Sequence, residues 1–328
     1  MARAIVPRDD GQSSSRAVPP IPDLVARAQQ GQAAAVARLI SLVEDGSPAL
    51  PDVSAALAPH TGRAHIVGLT GSPGVGKSTS TSALVASLRR RGKRVAVLAI
   101  DPSSPFSGGA LLGDRIRMSE HDTDPDVFIR SMASRGHLGG LAGAAPLALR
   151  VLDAAGCDVI LVETVGVGQS EVEIAGIADT TLVLLAPGMG DGIQAAKAGI
   201  LEIGDIFVIN KADREGANTT RRELRTMIGM RGEGLDWTPP IVLTVATKGE
   251  GTDEVVDEIQ NHFVYLTDSG ELTRRRVGRA RREIEALALA SVQRRLGEYA
   301  AGADQLAAEV AAGSLDPFAA ATRLLDHS

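Results

Sequence analysis

Residues 64–79 read Ala-His-Ile-Val-Gly-Leu-Thr-Gly-Ser-Pro-Gly-Val-Gly-Lys-Ser-Thr and carry the strongest fold signal in the chain. The segment starts as an apolar run, turns through glycines, and ends on Lys77, Ser78 and Thr79. The pattern G-x-x-x-x-G-K-[ST] between a strand and a helix is typical of a loop whose backbone N–H groups bind phosphate. We therefore predict a strand over 64–70, a helix over 78–91, and a phosphate site where they meet.

Further apolar runs repeat the strand signal along the chain. They lie at residues 94–100, 158–162, 180–185, 206–209 and 241–245. Continuous apolar runs of this length suit strands that are buried on both faces of a mainly parallel sheet. With helices between the strands, the sequence predicts an α/β fold: a doubly wound P-loop NTPase domain with N- and C-terminal helical extensions.

The chain divides by composition into four parts. Residues 1–20 are rich in Ser, Pro and charge and predict a disordered tail. Residues 21–62 predict a helical extension, with helical periodicity from Ile21 and a second short helix after Gly46. Residues 63–268 form the predicted P-loop GTPase domain.

Residues 269–328 are rich in Ala, Leu and Arg and have a helical period. These C-terminal helices either pack on their own domain or form a dimerisation arm, and the pattern alone fits both.

Composition excludes several other classes of protein. The 328 residues carry a net charge of −6 with only 2% aromatic residues, which argues against nucleic-acid binding. No apolar run reaches the ~18 residues that cross a membrane, and residues 1–20 lack a secretory signal, so we expect a cytoplasmic protein with no membrane partner. The lone cysteine, Cys157, lies in an apolar stretch and is expected to be a core residue.

A second motif predicts which base is bound. Asn210-Lys-Ala-Asp213 follows a predicted strand and fits N-K-x-D, in which the carboxylate accepts hydrogen bonds from the guanine ring N–H and amine. Adenine would leave Asp213 unpaired, and we expect Asn210 to tie this loop to the phosphate loop. Residues 245–247 occupy the place of the last guanine-contacting loop, where Val245 departs from the usual serine. The predicted nucleotide-binding residues are Gly71, Ser72, Pro73, Gly74, Val75, Gly76, Lys77, Ser78, Thr79, Asn210, Lys211, Asp213, Val245, Ala246 and Thr247.

Acidic residues after neighbouring strands predict a magnesium site. Asp101 and Glu163 each follow a predicted strand, and Asp114 lies in a later loop. The carboxyl ends of parallel strands converge where a doubly wound sheet binds ligands. Mg²⁺ keeps several waters, so we expect Ser78 to bind it directly and Asp101, Asp114 and Glu163 largely through water.

Six motifs in order resemble the methylmalonyl-CoA mutase-associated GTPase family of the MeaB/ArgK type. Besides the phosphate loop they are Asp101-Pro-Ser-Ser104, Gly113-Asp-Arg-Ile-Arg-Met118, Ile129-Arg-Ser-Met-Ala-Ser-Arg-Gly136, Glu163-Thr-Val-Gly-Val-Gly-Gln169 and Pro187-Gly-Met-Gly-Asp-Gly-Ile-Gln194. The resemblance spans residues 21–328. It implies a homodimeric GTPase that binds GTP or GDP with Mg²⁺ and acts as a chaperone for an adenosylcobalamin-dependent methylmalonyl-CoA mutase, gating cofactor loading and protecting the mutase.

The resemblance also implies roles for individual residues. It assigns catalytic roles to Lys77 and Glu163. Arg117 is either a mobile arginine that stabilises charge in the transition state or a solvated surface residue. Residues 187–197 become an extra switch in which Asp191 and Lys197 couple partner contact to the nucleotide. Family members usually have a second acid after Asp191, where this chain has Gly192.

Other functions fit the phosphate loop alone. An ATP-dependent kinase of a transport system is one, although the motif at 210–213 favours guanine. A GTPase that delivers a metal to an apo-enzyme is another, but that role needs a Cys/His cluster, and the chain has one cysteine and six histidines. A module that holds GTP with little turnover is a third, and the effect of the partner on turnover would distinguish it.

Overall fold

A parallel sheet forms the centre of the fold. The computed structural model describes residues 19–102, 120–121, 123–134, 144–164, 170–188, 202–230, 236–298 and 300–326. Within these ranges the strands are β1 (His65–Thr70), β2 (Val95–Pro102), β3 (Val127–Ser134), β4 (Val159–Thr164), β5 (Thr180–Leu185), β6 (Ile206–Ile209) and β7 (Ile241–Leu243). They pair in the order β3-β2-β4-β1-β5-β6-β7, and every pairing is parallel. The predicted α/β fold is confirmed.

Helices cover both faces of this sheet. Those before and within the strand region are α1 (Ile21–Gln29), α2 (Ala33–Glu44), α3 (Leu50–Leu57), α4 (Lys77–Arg90), α5 (Ala145–Ala154), α6 (Ser170–Ile177), α7 (Ala217–Gly229) and α8 (Thr252–Asp268). One core cluster joins α4 and α8 to the sheet, and a second joins α1–α3, α5 and α6 to its other face. α7 packs on β5 and β6 around the fully buried Phe207.

The sequence patterns did not predict two features of this fold. β3 was not among the predicted strands, because its apolar start at Val127 gives way to Arg130 and Ser131. It lies at an edge of the described sheet, where it pairs with β2, and Arg130 forms an ion pair with Glu44. The N-terminal helix is also broken, because Gly31 adopts φ 80° between α1 and α2.

The C-terminal helices are α9 (Glu271–Glu298), α10 (Ala300–Ala311) and α11 (Pro317–Asp326). Arginines near the start of α9 hold it to carboxylates at the starts of two strands. Arg275 donates to both oxygens of Asp205 at 2.9 Å, while Arg276 and Arg279 donate to Asp179 at 2.9 and 2.5 Å. Asp179 and Asp205 directly precede β5 and β6. Helix α9 is therefore fixed at the N-terminal ends of these strands, and the phosphate loop lies at the opposite, C-terminal end of the sheet.

None of the helices in the described part of the chain is long and apolar enough to span a membrane.

Candidate nucleotide-binding site

The phosphate loop lies between β1 and α4, at the centre of the sheet. Its glycines adopt backbone conformations that other residues rarely take: φ is 142° at Gly71 and 99° at Gly76. A Cβ at Gly71 would lie 2.3 Å from the carbonyl oxygen of Leu184, so the loop also needs glycine there for space. Gly76 is the residue before α4, so the loop leads directly to a helix N-terminus, where N–H groups and the helix dipole favour an anion.

Lys77 is buried, and its ammonium group lies against the loop itself. Its Nζ donates to the carbonyl oxygens of Gly71 at 2.5 Å and Ser72 at 3.3 Å. This cation is therefore held over the concave side of the loop, where it can reach a bound phosphate chain.

Ser78 and Glu163, which the sequence predicted as metal and catalytic residues, lie together. The Ser78 hydroxyl donates to Oε1 of Glu163 at 2.6 Å, and both side chains are buried. A further hydroxyl, that of Thr81, lies 2.9 Å from Oε2 of the same carboxylate. The sequence motifs did not single out Thr81, although a threonine three residues after Ser78 in a predicted helix faces the same side.

Asn210 joins the base motif to the phosphate loop. Its Nδ2 donates to the carbonyl oxygen of Val75 at 2.9 Å, and its Oδ1 accepts from the backbone N–H of Ala246 at 3.1 Å. The expected tie between the two loops is confirmed. A Cβ at Gly76 would lie 2.4 Å from Asn210 Nδ2, so glycine is needed for this close approach.

The remaining residues of the base motif form the other side of the site. Lys211 has φ 58°, and its Nζ donates to the carbonyl oxygen of Gly74 at 2.6 Å. Asp213 is exposed, so its carboxylate is open to a ligand. In the last predicted loop Val245 and Ala246 are buried and Thr247 is exposed. Because Ala246 is bonded to Asn210, all three predicted loops are held in one place.

The carboxylates predicted as magnesium ligands are only partly placed. Asp101 lies in the last part of β2, two positions beyond Ala99, which pairs with Glu163. Asp114 and Arg117 lie outside the described residues, as do Asp191 and Lys197. Within the described ranges no group of three or more His, Cys, Asp or Glu side chains could hold a metal ion. The oxygen donors that are present, the Ser78 hydroxyl and the Glu163 carboxylate, are of the kind that Mg²⁺ prefers, so they fit this ion.

The parallel sheet, phosphate loop and guanine-type loop together define a P-loop GTPase. The chain belongs to the methylmalonyl Co-A mutase-associated GTPase MeaB family, whose model matches residues 36–301. It is 47% identical to a putative GTPase of Pyrococcus horikoshii over 94% of this chain and 98% of that protein. It is 40% identical to GTPase ArgK of Escherichia coli, over 76% of this chain and 77% of that protein.

Two other proteins extend the comparison. A methylmalonic aciduria type A homolog, mitochondrial, of Caenorhabditis elegans is 39% identical over 64% of this chain and 54% of that protein. The crystal structure of an LAO/AO transport system kinase matches with a TM-score of 0.69 and 29% identity, and covers 94% of this chain and 97% of that one.

Proposed function

We propose that this GTPase is a chaperone for an adenosylcobalamin-dependent methylmalonyl-CoA mutase, in which GTP binding and hydrolysis gate cofactor loading and protect the mutase. The observation that carries the nucleotide part is the bond from Asn210 to Val75, because it holds the guanine-type loop against the phosphate loop. The match of the mutase-associated family model to residues 36–301 supports the partner.

The reaction that suits this site is attack of water on the γ-phosphate of GTP. Lys77 would stabilise charge on the β- and γ-phosphate oxygens, and the N–H groups of the loop at 71–76 would do the same along the phosphate chain. Asp213 would select guanine by accepting from the ring N–H and the amine.

The proposed magnesium site takes in Ser78, Asp101, Asp114 and Glu163. The Ser78 hydroxyl donates a hydrogen bond to Glu163, and its oxygen is a ligand of the kind that Mg²⁺ prefers. When bound, Mg²⁺ would neutralise charge that develops on the phosphate oxygens. We assign Arg117 the role of a further positive charge at the transition state.

We further propose that α9 is a dimerisation arm. Val277, Ile284 and Leu287 recur at helical spacing and are all exposed. Val277 and Ile284 lie on the side of α9 opposite Arg275, which the domain holds, and Leu287 lies at the border of the held face, near Arg276. An exposed apolar stripe on a helix is the usual surface for pairing with a second helix.

Light scattering on two matched variants tests the arm. Ile284 is 67% exposed and lies on the stripe, whereas Leu289 is 64% exposed and lies on another side of α9. Ile284→Glu should give a monomer, and Leu289→Glu should remain a dimer. A monomeric wild type, or equal effects of the two variants, would rule out this surface as the interface.

Hydrolysis assays with and without the organism's adenosylcobalamin-dependent mutase test the function. GTP turnover should rise on adding the mutase, and ATP should be a poor substrate. Lys77→Ala should abolish turnover, whereas Lys93→Ala, at an exposed position before β2, should not. Turnover of GTP that the mutase does not change would refute the chaperone role.

The same assay tests the kinase alternative, since one of the matched crystal structures is that of an LAO/AO transport system kinase. Preference for ATP, with transfer of phosphate to a protein substrate, would favour a kinase. The exposed carboxylate of Asp213 in the base loop favours GTP instead.

A further inference from the structure

One buried hydroxyl near the phosphate loop has no role in the function proposed above. Thr81 lies in the second turn of α4 and is 0% exposed. Its Oγ1 is 2.9 Å from Oε2 of Glu163 and 3.0 Å from the carbonyl oxygen of Lys77. Both acceptors belong to residues of the proposed site. The hydroxyl has one proton, and the charged carboxylate of Glu163 is the stronger of the two acceptors.

Two hydroxyls of α4, those of Ser78 and Thr81, contact the carboxylate of Glu163. Ser78 and Thr81 are three residues apart, so they project from the same side of α4. Each hydroxyl contacts a different oxygen of one carboxylate, Oε1 at 2.6 Å and Oε2 at 2.9 Å. Helix α4 thus holds this carboxylate at two points, which fixes the plane of the carboxylate as well as its position.

The orientation of Glu163 decides the orientation of Ser78. The Glu163 carboxylate accepts a hydrogen bond from the Ser78 hydroxyl, and the direction of that bond sets where the lone pairs of Ser78 Oγ point. Loss of the Thr81 hydroxyl would remove one of the contacts that fix the carboxylate, whose terminal torsion is broad, and so would widen its range of orientations. Ser78 would then present its oxygen to a cation in a wider range of directions.

We infer that Thr81 is a positioning residue for the divalent-cation site: its hydroxyl fixes Glu163, which in turn aims Ser78 at the cation that accompanies the nucleotide. This inference rests on the proposed role of Ser78 in binding that cation. Groups that orient metal ligands change metal affinity by about 10- to 100-fold when they are removed.

The competing explanation is purely structural. Threonine in a helix often bonds the carbonyl oxygen four residues earlier, and the contact from Thr81 to Lys77 has that form. Thr226 in α7 makes the same kind of bond to Arg222, at 3.0 Å, on an exposed surface. Thr226→Val therefore serves as a control for loss of a helix back-bond alone.

The test measures Mg²⁺ affinity: release of methylanthraniloyl-GDP from the 328-residue chain is followed while Mg²⁺ is titrated. Thr81→Val should raise the Mg²⁺ concentration for half-maximal retention by about tenfold, with GDP affinity in excess EDTA unchanged. Thr81→Ser should return close to wild type, because it restores the hydroxyl. Thr226→Val should have no effect on the titration.

Ser78→Ala separates this inference from the function on which it rests. If Ser78→Ala weakens Mg²⁺ retention but Thr81→Val does not, Thr81 is structural and the inference is wrong. If Ser78→Ala has no effect either, the proposed cation role of Ser78 fails and the inference fails with it. Circular dichroism and thermal unfolding of each variant confirm that the fold is retained, and Thr81→Ser tests the hydroxyl if Thr81→Val is unfolded.

Discussion

The amide of Asn210 donates to the carbonyl oxygen of Val75 at 2.9 Å, although the two residues are 135 positions apart in the chain. The same side chain accepts from the backbone N–H of Ala246. One buried amide therefore holds the phosphate loop, the base motif and the last loop in a common arrangement. Loops that are preorganised in this way lose less conformational entropy when a ligand binds.

Asn210→Ala should weaken GDP binding by about tenfold or more. The substitution removes the side-chain hydrogen bonds to the Val75 carbonyl and the Ala246 N–H. Each buried polar group that is left without a hydrogen-bond partner costs about 1–3 kcal/mol of free energy. Equilibrium titration with a fluorescent GDP measures the change. Asn218→Ala, at an exposed position in α7, is the matched control and should bind as wild type does. Unchanged affinity in Asn210→Ala would contradict the coupling of the loops.

Asp213→Asn should shift the preferred substrate from GTP toward xanthosine triphosphate. The amide donates where the carboxylate accepts, and xanthine presents an oxygen where guanine presents an amine. The ratio of kcat/KM for the two nucleotides is the readout. Asp236→Asn, another exposed aspartate, controls for loss of charge. GTP selectivity retained in Asp213→Asn would count against the base assignment.

Acid should destabilise the protein through two buried histidines. Burial lowers the pKa of His65 to about 3 and the pKa of His262 to about 4, from 6.5. Because the unfolded chain binds these protons first, stability is complete above about pH 6.5 and falls as the pH drops toward 4. Each histidine contributes about 1.4 kcal/mol for each pH unit in that window.

Urea unfolding between pH 7 and pH 5 measures this slope. His65 and His262 each lie within 2.8 Å of the hydroxyl of Thr180, so they form one buried polar chain. His262→Gln removes one of the two titrating groups and should reduce the slope by about half of the histidine contribution. A slope that does not change in this variant would show that other groups cause the acid sensitivity.

Removal of the charge at Asp179 should destabilise the attachment of α9. Burial alone would raise the pKa of this carboxyl, but the hydrogen bond from Arg276 and the charge of Arg279 outweigh it and lower the pKa. Asp179→Asn leaves two guanidinium groups without their anion, which should reduce the free energy of unfolding by about 3–5 kcal/mol.

The control for this variant is an ion pair on the surface. Asp257 pairs with Arg91 at 2.6 Å, and its side chain is 63% exposed. Asp257→Asn should change the free energy of unfolding by about 0–1 kcal/mol. Equal effects at Asp179 and Asp257 in urea unfolding would refute the special role of the buried pair.

The sequence predicts those parts of the fold that local patterns encode. Apolar runs locate β1, β2, β4, β5, β6 and β7, because buried strands in a parallel sheet need continuous apolar residues. β3 escapes detection because Arg130, near its middle, is a polar residue whose partner, Glu44, lies in a distant helix. Only the tertiary fold brings this pair together.

The candidate site divides in the same way. The motifs around Lys77 and Asn210 are contiguous, so sequence alone identifies them. The pairing of Thr81 with Glu163 spans 82 residues, and it depends on how α4 lies across the end of β4. No local sequence pattern indicates that these two residues are in contact. The arginine contacts of α9 with Asp179 and Asp205 are hidden for the same reason.

Helix α9 has 28 residues and is about 42 Å long; Asp179 and Asp205 hold its first turns, and Arg150 holds Glu283 near its middle. The far end of α9 is therefore connected to the domain through Glu283 and through these carboxylates. The strands that begin beside them, β5 and β6, end at Leu185 and Ile209, and Ile209 directly precedes Asn210. A protein that binds the far end of α9 would thus contact a helix that is bonded to the starts of the two strands that support the nucleotide loops.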